Sequence, residues 1–229
     1  TAEILAAELN ISREDQEDFA INSHKKALNA IKSGKFDNEV VPVEINSKII
    51  KQDEGPRQPD LNKIQSLEPA FDSEGTITAA TSSPVSVGAA AAIIIGDSLK
   101  ESLSLKPKYK ILSRAIAGVD WKKMGSGPLP ATEKALEKAK LSINDIDIIE
   151  LNEAFAAQSL YVIRKGEWDI EKINLNGGAI ALGHPLGCSG VRILVTLMNV
   201  MDQQNSTLGL ATMCIGSGQG IATIIERIN

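Results

Sequence analysis

The alternation of strand-like and helix-like segments from Lys108 onward predicts an α/β fold in which helices are layered on a mixed five-stranded sheet. Three observations carry that prediction. Apolar runs at 109–119, 146–151 and 173–176 have the length and bounding residues of strands. Helical stretches at about 131–140, 153–165 and 190–203 alternate with them. Two further strands, 207–214 and 220–228, close the chain with little but Gly216-Ser217-Gly218 between them. That connection is too short for a crossover, so the closing pair must be antiparallel within an otherwise largely parallel sheet.

The first eighty residues read differently, as helix and loop. Ser12 followed by Asp15 is an N-cap, and Gly34 ends the helix it opens. Residues 40–45 are strand-like, but Pro42 confines them to an edge. Gly55, Pro56 and Pro59 make 52–60 an exposed loop. A short strand is expected at 75–80, and the small residues from Ala89 should lead into a buried strand ending near Gly96. Thr1–Leu9 resembles the middle of a helical region, with no start methionine and no cationic leader, so the chain reads as cut from something longer.

Composition removes several classes of function. With 43% hydrophobic and 23% charged residues the chain is globular, and with 3% aromatics its core must be Ala, Ile, Leu and Val. A net charge of −5 with no basic stripe offers nucleic acid no footprint. The longest apolar run, Val87–Gly96, is too short to span a membrane. Two cysteines make no disulfide framework, and two histidines give no metal-ligand spacing. Free thiols point to a reducing compartment, the cytoplasm.

Polar residues collect at one topological place. Asn152-Glu153 follows strand 146–151, Gly183-His184-Pro185 lies in the loop after 173–176, and Cys214-Ile215-Gly216 ends strand 207–214. Loops beyond the carboxyl ends of parallel strands share one rim, and ligands bind there. A lone cysteine is ordinarily a small buried hydrophobe. Against that, Cys214 meets a Gly-rich turn whose free N–H groups suit a thiolate or an oxyanion, and the residues alone leave the two readings even. Cys188 opens a helix beside Ser189 and Gly190 and reads as packing. His184 sits among four glycines and a proline in Asn176–Gly187, which favours a ligand-facing role over a surface one, whereas His24 reads as structural. Gly216–Gly220 is not a dinucleotide loop, because a strand rather than a helix follows it. Glu14, Asp15, Glu17 and Asp18 are a solvated first turn.

Asn152-Glu153-Ala154-Phe155-Ala156-Ala157-Gln158, the run Asn176–Gly190 and Cys214-Ile215-Gly216 together resemble the three C-terminal signature blocks of the thiolase family, in order and spacing. Met124–Ala131 and Pro69-Ala70-Phe71 fit the same family, and the resemblance covers essentially the whole chain. Within the family, Leu210–Gly216 and Ser12-Arg13-Glu14 are most similar to the degradative 3-ketoacyl-CoA thiolases that form the β subunit of bacterial fatty-acid oxidation complexes. The chain departs at Val87-Gly88, where the family ordinarily has Asp-Gly.

The resemblance implies the thiolase fold and an acyl transfer that cleaves 3-ketoacyl-CoA with CoA to acetyl-CoA and a shortened acyl-CoA. It implies that His184 activates a nucleophilic thiol and helps form an oxyanion hole, that Asn152 holds a water there, that Cys214 shuttles a proton, and that the Gly216 N–H serves a second oxyanion hole. Ser83 matches a position near the pantetheine and Arg57 one near the nucleotide of CoA, with Met124 and Phe155 as further substrate contacts. No cofactor is implied; CoA is a substrate. Implied partners are CoA thioesters, a second copy of the chain, and a hydratase/dehydrogenase α subunit.

The family's nucleophile lies in an N-terminal portion without a counterpart here, and Cys188 and Cys214 match other positions. The implied organisation is a partial loop domain (1–84), the last strand and helix of an N-terminal half (85–107), and a complete C-terminal domain (108–229). On that organisation the segment before Pro84 should be loosely held and easily cleaved, and the part from Pro107 resistant. The alternatives are a biosynthetic acetoacetyl-CoA thiolase and a non-catalytic CoA-binding or subunit-interaction fragment.

Overall fold

The computed structural model describes residues 1–228. Helix α1 (Ala2–Glu8) comes first, and its Glu3 carboxylate accepts the amides of Thr76 and Ile77, each at 2.9 Å. Helix α2 (Arg13–Lys32) opens on the expected cap: the Ser12 hydroxyl accepts from the Asp15 amide and the Asp15 carboxylate from the Ser12 amide, both at 3.0 Å. Gly34, at φ +66°, ends it as expected.

The strand expected over 40–45 begins only after Pro42, where an N–H is again available for pairing. It forms β1 (Val43–Ile45), which pairs with β2 (Lys48–Ile50) in a small exposed hairpin turning at Asn46 and Ser47, both at positive φ. Helix α3 (Leu61–Gln65) is tied to α2 by Arg13, whose guanidinium donates to the carbonyls of Ile64, Gln65 and Leu67.

Two expected strands do not form. Residues 75–78 are held by Glu3 rather than by a ladder and run into a 3₁₀ turn at Ala79–Thr81. Residues 89–96 carry no regular structure and are not buried: Ile93 is 95% and Ile94 70% exposed. A strand needs a neighbour for its backbone groups, and none of the described residues pairs with this one. Helix α4 (Asp97–Ser102) follows it.

From Tyr109 the α/β layer assembles. Strands β3 (Tyr109–Gly118), β4 (Ile148–Leu151), β5 (Leu208–Ile215) and β6 (Gln219–Arg227) lie in the order β3-β6-β5-β4. The closing pair β5–β6 is antiparallel, as its short turn requires. Because β6 folds back between β5 and β3, it opposes both, and β4–β5 is the one parallel pair of full strands. The sheet is therefore mixed but not largely parallel.

The fifth strand, expected at 173–176, shrinks to a single parallel bridge between Ile173 and Ile149. Asn174 is the cause. Its φ of +48° leaves the extended region, and its side-chain amide takes over the ladder, accepting from the Leu151 amide (2.9 Å) and donating to the Leu151 carbonyl (2.8 Å).

Both faces of the sheet are covered, which is why all of β4 is buried. The period-2 alternation sends Ile149, Leu210 and Ile224 towards α5 (Pro128–Ala139) and α6 (Ala156–Lys165), and Ile148, Ala211 and Ile225 towards α8 (Ser189–Gln204). Each fully buried isoleucine contributes about 2 kcal/mol. Between the Ile173 bridge and α8 lies one helical turn, α7 (Ala179–Leu182), whose Ile180 packs with Ala156 and with Ala20 of α2. No helix among the described residues is long and apolar enough to cross a membrane.

That packing corrects the expectation of a loosely held N-terminal segment for residues 1–36, though not for the exposed hairpin after them. Leu5, Ile21, Ala27 and Ala30 are buried, and α1 and α2 lie against α6 and α7. The exposed backbone lies instead at the β1–β2 hairpin and at 85–95. Limited proteolysis with mass analysis is expected to cut first within 85–95 and 41–51 while leaving 1–36 intact. Early cleavage inside α2 would contradict this packing.

Candidate active site

The carboxyl ends of β4 and β5 and the loop after the Ile173 bridge meet at one rim. Asn152 follows β4, and its amide donates to the Thr212 carbonyl of β5 at 3.0 Å, which extends the ladder to the edge of the site. Cys214 is the penultimate residue of β5. His184 arrives through α7 and Gly183. At φ +96° Gly183 occupies backbone space that L side chains rarely adopt, and a Cβ there would collide with the Ser86 hydroxyl.

Six of the eight residues singled out from the sequence line one cleft of about 700 Å³: Ser83, Met124, Phe155, His184, Cys214 and Gly216. Apolar side chains, among them Val85, Leu186 and Met213, form much of the rest. Asn152 stands behind the rim, fully buried, with its amide nitrogen 3.4 Å from His184 Nε2. Its Oδ1 is buried without a partner among the described residues. Arg57 is not among the cleft residues; its backbone N–H instead donates to Nδ1 of His24 at 3.3 Å.

Ser83 is pinned to the rim by its amide and its hydroxyl, both donating to the Ala154 carbonyl at 3.0 Å. Phe155 sits edge-on to Phe71, ring centroids 5.9 Å apart. These contacts bring the 82–86 segment and the start of α6 to one wall. Cys188 is the N-cap of α8, is 7% exposed and lies outside the cleft, in keeping with packing.

Burial sets the protonation of both candidate groups. It pushes the Cys214 thiol up to about 11, with a backbone hydrogen bond opposing it only in part. Of the two readings left even by the sequence, a stabilised thiolate is therefore not what this position favours; Cys214 is a protonated thiol near neutral pH. Burial, and secondarily the positive charge of Arg192, holds His184 below the ordinary imidazole value. The rim thus presents a neutral acid and a neutral base.

Sequence reasoning missed what holds these groups in place. Glu153 is buried and accepts from Ser23 Oγ (2.7 Å), Asn174 Nδ2 (2.8 Å) and the Ile180 amide (3.2 Å). Desolvation raises its pKa and the hydrogen bonds oppose that. Ser189 Oγ lies 2.6 Å from His184 Nδ1. The one available signal was a carboxylate inside an otherwise apolar stretch; Ser23 is distant in sequence and invisible to it. Among the described residues no group of three or more His, Cys, Asp or Glu is placed to hold a metal ion.

Comparison with known proteins bears on this geometry. A family profile described as "Thiolase, C-terminal domain" matches residues 105–227, and one described as "Thiolase, N-terminal domain" matches residues 1–98. A curated protein of Alcanivorax borkumensis named 3-ketoacyl-CoA thiolase is 52% identical over 241 residues, covering 100% of this chain and 61% of its own length. One of Acinetobacter baumannii with the same name is also 52% identical, with the same coverage. The chain therefore spans about three-fifths of the length of these relatives. Among solved structures, a Bacillus anthracis acetyl-CoA acetyltransferase superposes with a TM-score of 0.95 at 40% identity, over 99% of this chain and 59% of its own. Human mitochondrial 3-ketoacyl-CoA thiolase in complex with CoA superposes with a TM-score of 0.93 at 38% identity, over 99% and 58%.

Two outcomes follow from the packing and protonation of the rim. A Cβ on Gly178 would collide with the Glu153 carboxyl group, whereas one on Gly187 would meet nothing within 4 Å. Gly178→Ala should therefore destabilise the chain by about 1–3 kcal/mol in urea unfolding, with Gly187→Ala a near-neutral control; equal effects would remove the steric argument. With its thiol near 11 against an ordinary 9.0, Cys214 should be alkylated by iodoacetamide at neutral pH about a hundredfold more slowly than a free cysteine. Peptide mass spectrometry reads the rate, and labelling as fast as a free thiol would mean a thiolate.

Proposed function

The chain belongs to the thiolase family, and from that premise we propose that it supplies the acid–base half of a thiolase site that cleaves 3-ketoacyl-CoA with CoA to acetyl-CoA and a shortened acyl-CoA. The observation that carries this is the convergence of His184 and Cys214, held as neutral base and protonated thiol, on one largely apolar cleft. Thiolysis needs a base to activate an acyl-accepting thiol and an acid to return a proton to the α-carbon of the departing acetyl unit. A neutral imidazole and a protonated thiol suit those tasks.

In this reading His184 takes the proton of the acyl-accepting cysteine. That cysteine comes from outside these 229 residues, since Cys188 caps a helix away from the cleft and Cys214 serves as the acid. In this reading the unpartnered Oδ1 of buried Asn152 accepts from a water that donates towards a developing oxyanion beside His184. The Gly216 N–H, at the turn after β5, contributes to a second oxyanion site. Ser83, Met124 and Phe155 bound the acyl and pantetheine path. Arg57 stands apart from the cleft, consistent with a role at the distant nucleotide end of CoA.

The domain reading fits the same picture: residues 1–84 act as part of a loop domain over the rim, 85–107 as the end of an N-terminal half, and 108–229 as the C-terminal domain. The partners are CoA thioesters, a second copy of the chain and the α subunit of a β-oxidation complex, and the compartment is the cytoplasm. The more similar curated relatives carry the name 3-ketoacyl-CoA thiolase, which favours degradation. A solved structure titled acetyl-CoA acetyltransferase keeps synthesis of acetoacetyl-CoA as the second reading.

Cys214→Ala in the complete polypeptide is expected to lower thiolysis by at least about 10²-fold while labelled acyl groups still attach from acyl-CoA. Making the thioester requires no proton transfer at the α-carbon. The 229-residue chain alone, in the same assay, should give no turnover. Failure of the label to attach, or unchanged turnover, would remove Cys214 from acid–base work.

A further inference from the structure

We propose that Ser189 is a positioning residue that fixes His184 as the Nδ1–H tautomer, leaving the Nε2 lone pair on the Asn152 side of the ring. The inference deepens the reading of His184 as a base and rests on it for its mechanistic meaning.

Neutral imidazole carries one N–H, and its neighbours decide which nitrogen holds it. Ser189 Oγ also has a single hydrogen, which it donates to the Pro185 carbonyl at 3.1 Å. Its lone pairs then face His184 Nδ1 at 2.6 Å, a separation that requires a hydrogen between the two atoms. With the hydroxyl hydrogen on the Pro185 carbonyl, that hydrogen comes from Nδ1. On the other side of the ring, Nε2 meets the amide nitrogen of Asn152 at 3.4 Å. An amide nitrogen offers only hydrogens, so Nε2 must present a lone pair. Both ends of the ring select the same tautomer.

The surroundings hold this arrangement. Ser189 is fully buried at the first position of α8, so bulk water does not compete for its hydroxyl. The Pro185 carbonyl also accepts the amides of Cys188 and Ser189, each at 2.9 Å, which locks the turn on which the hydroxyl depends. Burial disfavours the imidazolium, so near neutral pH the tautomer rather than the charge is what the partners control. Ser189 thus does for His184 what an orienting carboxylate does in other histidine-based sites, without adding a charge.

The test is the imidazole ¹⁵N spectrum of the chain labelled in histidine. There are two histidines, and they should report opposite tautomers. His24 Nδ1 accepts from the Arg57 amide, so His24 must carry its proton on Nε2 and serves as the internal reference. His184 should read as Nδ1–H in the unaltered chain. In Ser189→Ala only the 3.4 Å contact with Asn152 still selects the tautomer, so the Nδ1–H population should fall as Nε2–H appears, with the His24 signals unchanged. A wild-type His184 already in the Nε2–H form would mean that the Asn152 amide faces the other way and would overturn the proposal, whether or not the variant folds. A Ser189→Ala chain whose His184 keeps its full Nδ1–H population would mean that Asn152 alone sets the tautomer and would overturn the proposal equally. Neither reading depends on turnover, so a failed thiolase assignment and a failed tautomer assignment are told apart.

Discussion

The buried carboxylate of Glu153 is the constraint on which the rest of this structure depends. Placing a carboxylate out of water costs several kcal/mol unless donors surround it. Here three donors do so, and each comes from a different part of the chain: Ser23 from α2, Asn174 from the residual fifth strand, and the Ile180 amide from α7. Ser23 Oγ in turn accepts from the Gly178 amide at 3.1 Å. One side chain therefore joins the end of β4, the N-terminal helices and the loop that delivers His184. Gly178 has no side chain because the carboxyl group occupies the space one would need.

The sheet gives that junction its orientation. β4 and β5 run in parallel, so Asn152 and Cys214 emerge at the same edge. The Ile173 bridge also runs parallel to β4, which sends the loop carrying His184 off that edge as well. β6 runs the other way and brings no reacting side chain to the rim. Its role is to close the turn after Cys214, where Ser217 and Gly218 both take positive φ and place Gly216 beside the cleft.

Burial then treats an acid and a base alike by opposing charge on each. It raises the Cys214 thiol and lowers the His184 imidazole, so both stay neutral in the pH range where one can give a proton and the other take one. The same force acts on Glu150 in the middle of β4, which burial pushes up to about 8 although Arg192 lies 3.9 Å away. The rim is thus a low-dielectric floor in which hydrogen bonds, not ion pairs, decide geometry.

Much of this was legible in the residues. The three polar blocks at Asn152, His184 and Cys214, the helices between them and the antiparallel closing hairpin all follow from local pattern, because turn residues and periodicity are local properties. Partners were not legible. The strand expected at 89–96 has apolar residues but no neighbour, and the one at 173–176 yields to an asparagine whose side chain replaces the ladder. The sequence by itself determined which residues reach the rim. Tertiary structure alone decided that Cys214 is a protonated thiol rather than a thiolate, that Ser189 meets the histidine ring, and that Ser23 reaches Glu153 across 130 residues of chain. Protonation and hydrogen-bond partnership depend on what surrounds an atom in space, and periodicity along a chain carries no record of that.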